Sequence, residues 1–195
     1  MEEALLRAVL FGTPILLAGL GALLAERSGV VNLGVEGMMA LAALTAFAAA
    51  QAYGPLPGVL AAFGGGALSG RFLGLFAVPG RATQFVAGLA VAALGLGASG
   101  LLGKRYEGLP LAHPLPEGGF ALLGAALALL VHLFLTRTRT GLFLRSAGEN
   151  PKAVDLFGVS VDGVRYLALG LGGGLIGLAG AYLSLAYRPS WTDGM

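Results

Sequence analysis

The chain has 195 residues, of which 56% are hydrophobic and 11% are charged, and its mean hydropathy is +0.83. A soluble domain carries about 25% charged residues, so this composition excludes an ordinary soluble globular protein, whose surface needs more charge. The absence of cysteine excludes disulfides and thiolate metal sites. The net charge of +2 gives no electrostatic footprint for a nucleic acid.

Six stretches of the chain are long and apolar enough to cross a bilayer, which takes about 20 residues. The first stretch follows an acidic start, Met1-Glu2-Glu3, where a cleaved secretory leader is basic, so we expect a retained anchor. We predict an all-α, polytopic transmembrane helix bundle that forms a single domain over residues 1–195. The predicted spans, in chain order, are residues 8–25, 29–52, 56–78, 85–103, 120–135 and 166–187.

Glycine occurs 34 times and is concentrated in these spans. Small residues four positions apart let helices in lipid approach closely. Coincidence in a glycine-rich chain is the alternative explanation. The spacing predicts close helix packing at Gly66, Gly70 and Gly74, at Gly170 and Gly174, and at Gly173 and Gly177.

A polar, glycine-rich stretch opens the second span. It contains Asn32, Gly34, Glu36 and Gly37. Charged groups and non-helical backbone are tolerated within a membrane where protein buries them or water wets them. We therefore predict a broken helix near residues 32–36, beside a translocation pathway. The alternative is that Glu36 only anchors a helix end, paired with Arg27 or Arg71.

The densest basic cluster lies between the fifth and sixth spans and sets the predicted orientation. Short loops rich in Lys and Arg face the cytoplasm. Residues 136–165 therefore form a predicted cytoplasmic loop, with Arg27 and Arg81 on the same side and the N-terminus outside. The basic residues of the loop are Arg137, Arg139, Arg145, Lys152 and Arg165, and the residues placed outside with the N-terminus are Lys104, Arg105, Glu107, His113 and Glu117.

Within this loop the sequence predicts a short helix. Asn150 suits the N-cap, Pro151 the first helical position and Gly158 the C-terminal stop. Val154 and Phe157 would share one apolar face of the helix with Ala153. Because so short a helix does not persist alone in water, we expect it to dock on a partner surface.

Motifs of soluble enzymes are missing. The Gly103-Lys104 pair is not a phosphate loop, because Ala98 replaces the first required Gly and Arg105 replaces Ser or Thr. His113 and His132 lie on separate elements, which does not favour a metal site. No motif calls for a cofactor.

The two polar stretches resemble the permease family of ABC importers for branched-chain amino acids, simple sugars and nucleosides. Residues 26–38, ERSGVVNLGVEGM, are similar to the signature of its simple-sugar and nucleoside branch. The residues Gly141-Leu142, Arg145 and Gly148-Glu149-Asn150-Pro151 are similar to its cytoplasmic loop, and residues 179–184 to its next span.

The resemblance implies half of a permease pair, a homo- or heterodimer, in the cell inner (plasma) membrane. A separate ABC ATPase would dock on the cytoplasmic loop and an extracytoplasmic solute-binding protein would deliver a nucleoside or simple sugar. The subunit itself would not be an enzyme. The implied coupling residues are Gly148, Glu149, Asn150, Pro151, Val154, Phe157 and Gly158.

Members of that family usually continue beyond the position of Met195 with further spans, so we expect this chain to be shortened at its C-terminus. Two other classes compete with the importer subunit. A small secondary transporter would use Glu36 for ion coupling, although such carriers often show inverted repeats that are absent here. A non-transporting membrane scaffold would leave the polar break and the capped helix unexplained.

Overall fold

The computed structural model describes residues 1–79 and 83–191, and Arg81 lies outside the described residues. A 3-10 turn, Lys104–Tyr106, follows α4, and a π-helical turn, Leu183–Tyr187, follows α8. The helices are α1 (Glu2–Arg27), α2 (Val35–Tyr53), α3 (Pro55–Ala77), α4 (Gln84–Gly103), α5 (Glu117–Arg137), α6 (Arg139–Glu149), α7 (Pro151–Leu156) and α8 (Val161–Tyr182).

The predicted all-α membrane bundle is confirmed. In the described part of the chain, six helices are long and apolar enough to cross a membrane, namely α1 to α5 and α8. The second span begins at Val35 rather than at residue 29, because the chain between α1 and α2 is not helical. The sixth begins at Val161, because the Ser160 hydroxyl caps it by accepting a hydrogen bond from the Gly163 N–H at 3.1 Å.

Helix α8 is the centre of the bundle, and glycine makes this possible. A Cβ atom on Gly173 would collide with the carbonyl oxygen of Gly66 on α3, and one on Gly177 with that of Ala62. Gly172 meets Gly21 of α1 in the same way. The prediction that the spaced glycines of α3 and α8 mediate close packing is therefore confirmed, and α8 carries such contacts on more than one face.

The loops gather at two ends of the bundle. At one end the α4–α5 connection is held against the residues that follow α8. There, the Leu111 N–H donates to the Pro189 carbonyl at 2.8 Å and Gln51 Nε2 donates to the Pro110 carbonyl at 2.9 Å. The α1–α2 connection and helices α6 and α7 lie at the other end.

Candidate functional site: the helix break and the loop packed on it

Helix α1 ends in a motif that turns the chain back into the protein. The Val30 N–H donates to the Ala25 carbonyl at 3.1 Å and the Gly29 N–H to the Glu26 carbonyl at 2.9 Å. This pair of bonds is a Schellman motif, and Gly29 supplies the positive φ of 84° that it requires. Residues 28–34, called the break segment below, therefore run without helix between α1 and α2.

Asn32 shapes the break segment from within. Its side chain is 6% exposed. Its Oδ1 accepts from the Gly34 N–H at 2.9 Å, and its Nδ2 donates weakly to the Met38 sulfur at 3.7 Å. The first of these hydrogen bonds closes a local turn and provides an acceptor for the Gly34 N–H just before α2 begins. The side chain thus holds the backbone in place at the predicted break.

Gln84, the first residue of α4, clamps the break segment from a neighbouring helix. Its Oε1 accepts from the Val31 N–H at 2.9 Å, and its Nε2 donates to the Gly29 carbonyl at 3.3 Å. These bonds satisfy two backbone groups that no helix pairs. Sequence reasoning missed Gln84. The available signal was a single polar side chain, an amide, at the N-terminus of an apolar span that carries no charge.

Two of the predicted glycines, Gly34 and Gly37, let the break segment and α2 pack closely against α4. A Cβ on Gly34 would lie 3.1 Å from Val91 Cγ1. A Cβ on Gly37 would lie 2.8 Å from the Val91 carbonyl oxygen, and it would also meet the backbone of Ala92. The backbones of α2 and α4 therefore touch directly below the break.

Glu36 lies in the first turn of α2, and its side chain is exposed. A carboxylate at a helix N-terminus is stabilised by the positive end of the helix dipole. This position suits helix anchoring as well as a place beside a pathway, so the pathway role of Glu36 stays a prediction.

A cleft of about 700 Å³ opens between α2, α3, α4 and α8 next to the break. Gly37 and Met38 line it from α2, and Ser69, Arg71 and Tyr166 contribute its polar groups. Since Met38 also accepts from Asn32, the break segment is in contact with the wall of the cleft.

The loop between α5 and α8 contains one more helix than the sequence predicted. Helix α6 begins after Thr138, whose Oγ1 accepts from the Gly141 N–H at 3.0 Å. Its buried face is formed by Gly141, Leu144 and Ala147. These small and apolar residues three positions apart were the signal, which Arg145 between them and the arginines before them obscured.

Helix α7 is the predicted short helix. Asn150 caps it, its Oδ1 accepting from the Ala153 N–H at 3.3 Å, and Pro151 takes the first position. The Val159 N–H donates to the Val154 carbonyl at 3.4 Å, and Gly158 has a φ of 74°, so the C-terminal stop at Gly158 is also confirmed.

The expectation that Val154 shares an outward apolar face with Phe157 is wrong. Val154 is 1% exposed, because it packs into the protein's own core. Phe157 is 77% exposed and Leu156 is 88% exposed. The outward apolar pair at the C-terminal end of α7 is therefore Leu156 and Phe157, the residue that follows the helix, and Val154 packs the helix against the bundle.

The connection between α5 and α8, which consists of α6, α7 and their flanking residues and is called the α6–α7 loop below, packs directly on the end of α1 and on the break segment. A Cβ on Gly148 would collide with the Arg27 carbonyl oxygen and lie 3.1 Å from the Gly29 nitrogen. Arg165, at the start of α8, donates from Nε to the Ser28 carbonyl at 3.3 Å. Gly148 of the predicted coupling loop thus lies against the start of the break segment, more than 100 positions away in the sequence. The contacts fall on Arg27, Ser28 and Gly29, a few residues before the predicted Asn32 and Gly34.

The fold is that of a polytopic membrane protein. Its α6–α7 loop packs on the break segment, and the break segment lies beside the cleft. The chain belongs to the family of branched-chain amino acid transport system permease components, whose model it matches over residues 4–195.

Relatives agree with this family assignment. The chain is 38% identical to a putative glucose ABC transporter permease of Haloferax volcanii over 94% of its length, and 32% identical to a guanosine ABC transporter permease of Bacillus subtilis over 90%. It is 29% identical over 94% to a nucleoside ABC transporter permease of Lactococcus lactis. It spans 63% of the Haloferax protein, 65% of the Bacillus protein and 68% of the Lactococcus protein. No solved structure matches it significantly.

Proposed function

We propose that this protein is a membrane-spanning permease subunit of an ABC importer. The observation that carries the proposal is the packing of the α6–α7 loop on the break segment, with Gly148 against the Arg27 carbonyl and Gly29. A permease driven by a separate ATPase needs a physical connection between the surface that receives the ATPase and the part that opens the pathway. This contact provides it.

In this proposal the ATPase docks on the exposed pair of α7, Leu156 and Phe157. A displacement of α6 and α7 reaches the break segment through Gly148 and through the Arg165–Ser28 hydrogen bond. Gln84 and Asn32 hold that segment to α4 and to Met38, which lines the cleft. Access to the cleft then changes with the nucleotide state of the ATPase, and the subunit performs no covalent chemistry.

The favoured solute is a nucleoside or a simple sugar, and the names of the relatives support this class. A second permease subunit would complete the pathway, and an extracytoplasmic binding protein would deliver the solute. The α6–α7 end would face the cytoplasm and the N-terminus would lie outside the inner membrane. The experiment is uptake of labelled nucleosides and sugars in cells that express the complex with and without its ATPase. Uptake that persists without the ATPase would favour the secondary transporter instead.

The orientation can be checked with single cysteines, because the natural chain has none. Lys152 and Pro110 are both exposed and lie at opposite ends of the bundle. An impermeant thiol reagent applied to intact cells is expected to label Pro110→Cys and to spare Lys152→Cys, which reacts only after permeabilisation. The reverse labelling pattern would overturn the orientation.

The break segment can be tested by substitutions at Asn32 and Glu36. Asn32→Leu removes the acceptor of the Gly34 N–H, and Glu36→Leu removes a charge beside the pathway. Both are expected to reduce uptake by the complete complex while its assembly, measured by co-purification, stays intact. Gln51→Leu, which removes an exposed amide at the other end, is the control. Normal uptake by both variants would assign Glu36 to helix anchoring alone.

A further inference from the structure

A second, smaller cavity lies between α1, α5 and α6, away from the cleft described above. Its volume is about 300 Å³. One end is apolar, lined by Leu20, Leu23 and Val131, and the other is polar and positively charged, lined by Arg27, Thr136 and Arg145. The residues that line it, all within the described part, include no carboxylate.

The change from apolar to cationic follows the axes of the helices. On α1 the lining runs from Leu20 to Arg27, which is about 10 Å at 1.5 Å per residue. On α5 the lining runs in the same direction, from Val131 to Thr136, which is the last residue but one of the helix. The cationic end therefore lies at the end of the spans, where a membrane interface falls, and the apolar end points toward the membrane interior.

Arg145 is the most informative residue of the cavity. Its Nε atom is buried and has no hydrogen-bond partner among the described residues. Buried donors in native proteins are nearly always paired, and an unpaired donor on a cationic group is particularly costly. A partner that is anionic and rich in acceptor oxygens would compensate the charge of the Arg145 guanidinium and neutralise Arg27 at the same time.

We propose that this cavity binds the phosphate group of an anionic phospholipid, with an acyl chain along its apolar end. Arginine is suited to phosphate because its planar fork donates two parallel hydrogen bonds. Basic pockets between membrane helices on the cytoplasmic side accommodate anionic headgroups. A free phosphate ion would use the same cationic end but would leave the apolar end without a role.

Lipid in this cavity would brace the α6–α7 loop against α1. Arg145 belongs to α6, three residues before Gly148, and Arg27 ends α1 where Gly148 touches it. A phosphate held between Arg27 and Arg145 would join the two elements at the contact on which the break segment rests.

The test is lipid binding by the purified, delipidated full chain in detergent, followed by its thermal unfolding midpoint. Phosphatidylglycerol is expected to raise the midpoint saturably, whereas phosphatidylcholine with the same acyl chains is not. Arg145→Gln is expected to weaken the apparent affinity for phosphatidylglycerol at least tenfold. Arg139→Gln, which removes an exposed arginine of the same helix, is the control and should bind like the natural chain.

Arg27→Gln provides a second variant, because it removes a cation of the same cavity without changing α6. Equal stabilisation by both lipids would overturn the proposal, as would unchanged phosphatidylglycerol affinity in either cavity variant. Inorganic phosphate distinguishes the two sources of the group. The lipid assignment would be wrong if inorganic phosphate alone raised the unfolding midpoint as much as phosphatidylglycerol does and if this effect were lost in Arg145→Gln.

Discussion

Gly173→Ala is expected to lower the thermal unfolding midpoint of the purified protein by roughly 4–8 °C. The new Cβ would collide with the Gly66 carbonyl oxygen and lie 3.1 Å from Gly70 Cα. Both neighbours are backbone atoms that no change of rotamer can move, so α3 and α8 must separate. Overpacking of this kind costs about 2 kcal/mol, and about 1 kcal/mol shifts the midpoint of a chain of this size by about 2–4 °C.

Two alanine substitutions serve as matched controls for Gly173→Ala. A Cβ on Gly163, also on α8, would meet Ser160 no closer than 3.5 Å, and a Cβ on Gly64 of α3 would meet nothing within 4 Å. Both variants should unfold at or slightly above the natural midpoint, because alanine favours helix over glycine. If Gly173→Ala behaved like these controls, the close contact between α3 and α8 would not hold in the protein.

Phe157→Ala is expected to weaken co-purification of the ATPase by more than about tenfold and to uncouple ATP hydrolysis from uptake. Phe157 is the exposed aromatic side chain at the C-terminal end of α7, and the centre of its ring lies 6.4 Å from that of Phe143. Truncation of a well-buried aromatic anchor costs more than about 2 kcal/mol of binding. The protein itself should insert and unfold as before, because Phe157 contributes little to its own core.

The matched control for Phe157→Ala is Leu109→Ala, which removes an exposed apolar side chain at the other end of the bundle. Val154→Ala separates docking from folding, since Val154 is buried. It should lower the unfolding midpoint while the protein that remains folded binds the ATPase normally. If Phe157→Ala and Gly158→Leu both left complex formation and uptake unchanged, the loop would be an ordinary solvated connection.

Much of the fold followed from the sequence because its determinants are local. Each span is an apolar run of sufficient length, and α7 is delimited by the N-cap Asn150 and by Gly158. The packing of α3 on α8 was also predictable, because glycines four positions apart share one helix face whatever the partner.

The parts that escaped prediction depend on contacts between distant segments. Gln84 binds the break segment across 53 and 55 positions of sequence, and no local pattern identifies such a partner. Helix α6 was overlooked because its buried face of Gly141, Leu144 and Ala147 lies among charged residues that suggested a solvated loop. Val154 and Phe157 were placed on one face, but α7 ends at Leu156, so Phe157 does not continue the buried face of Val154.

The central position of α8 also imposes an order on the synthesis of the protein. Gly66 and its partner Gly173 are 107 residues apart, which takes a ribosome about 5–20 s at about 5–20 residues per second. During that interval α1, α2 and α3 lie in the lipid without the helix that each of them packs against. Because their surfaces are apolar, these three helices are stable in the lipid on their own. The close, glycine-mediated packing forms only after α8 has been inserted between them.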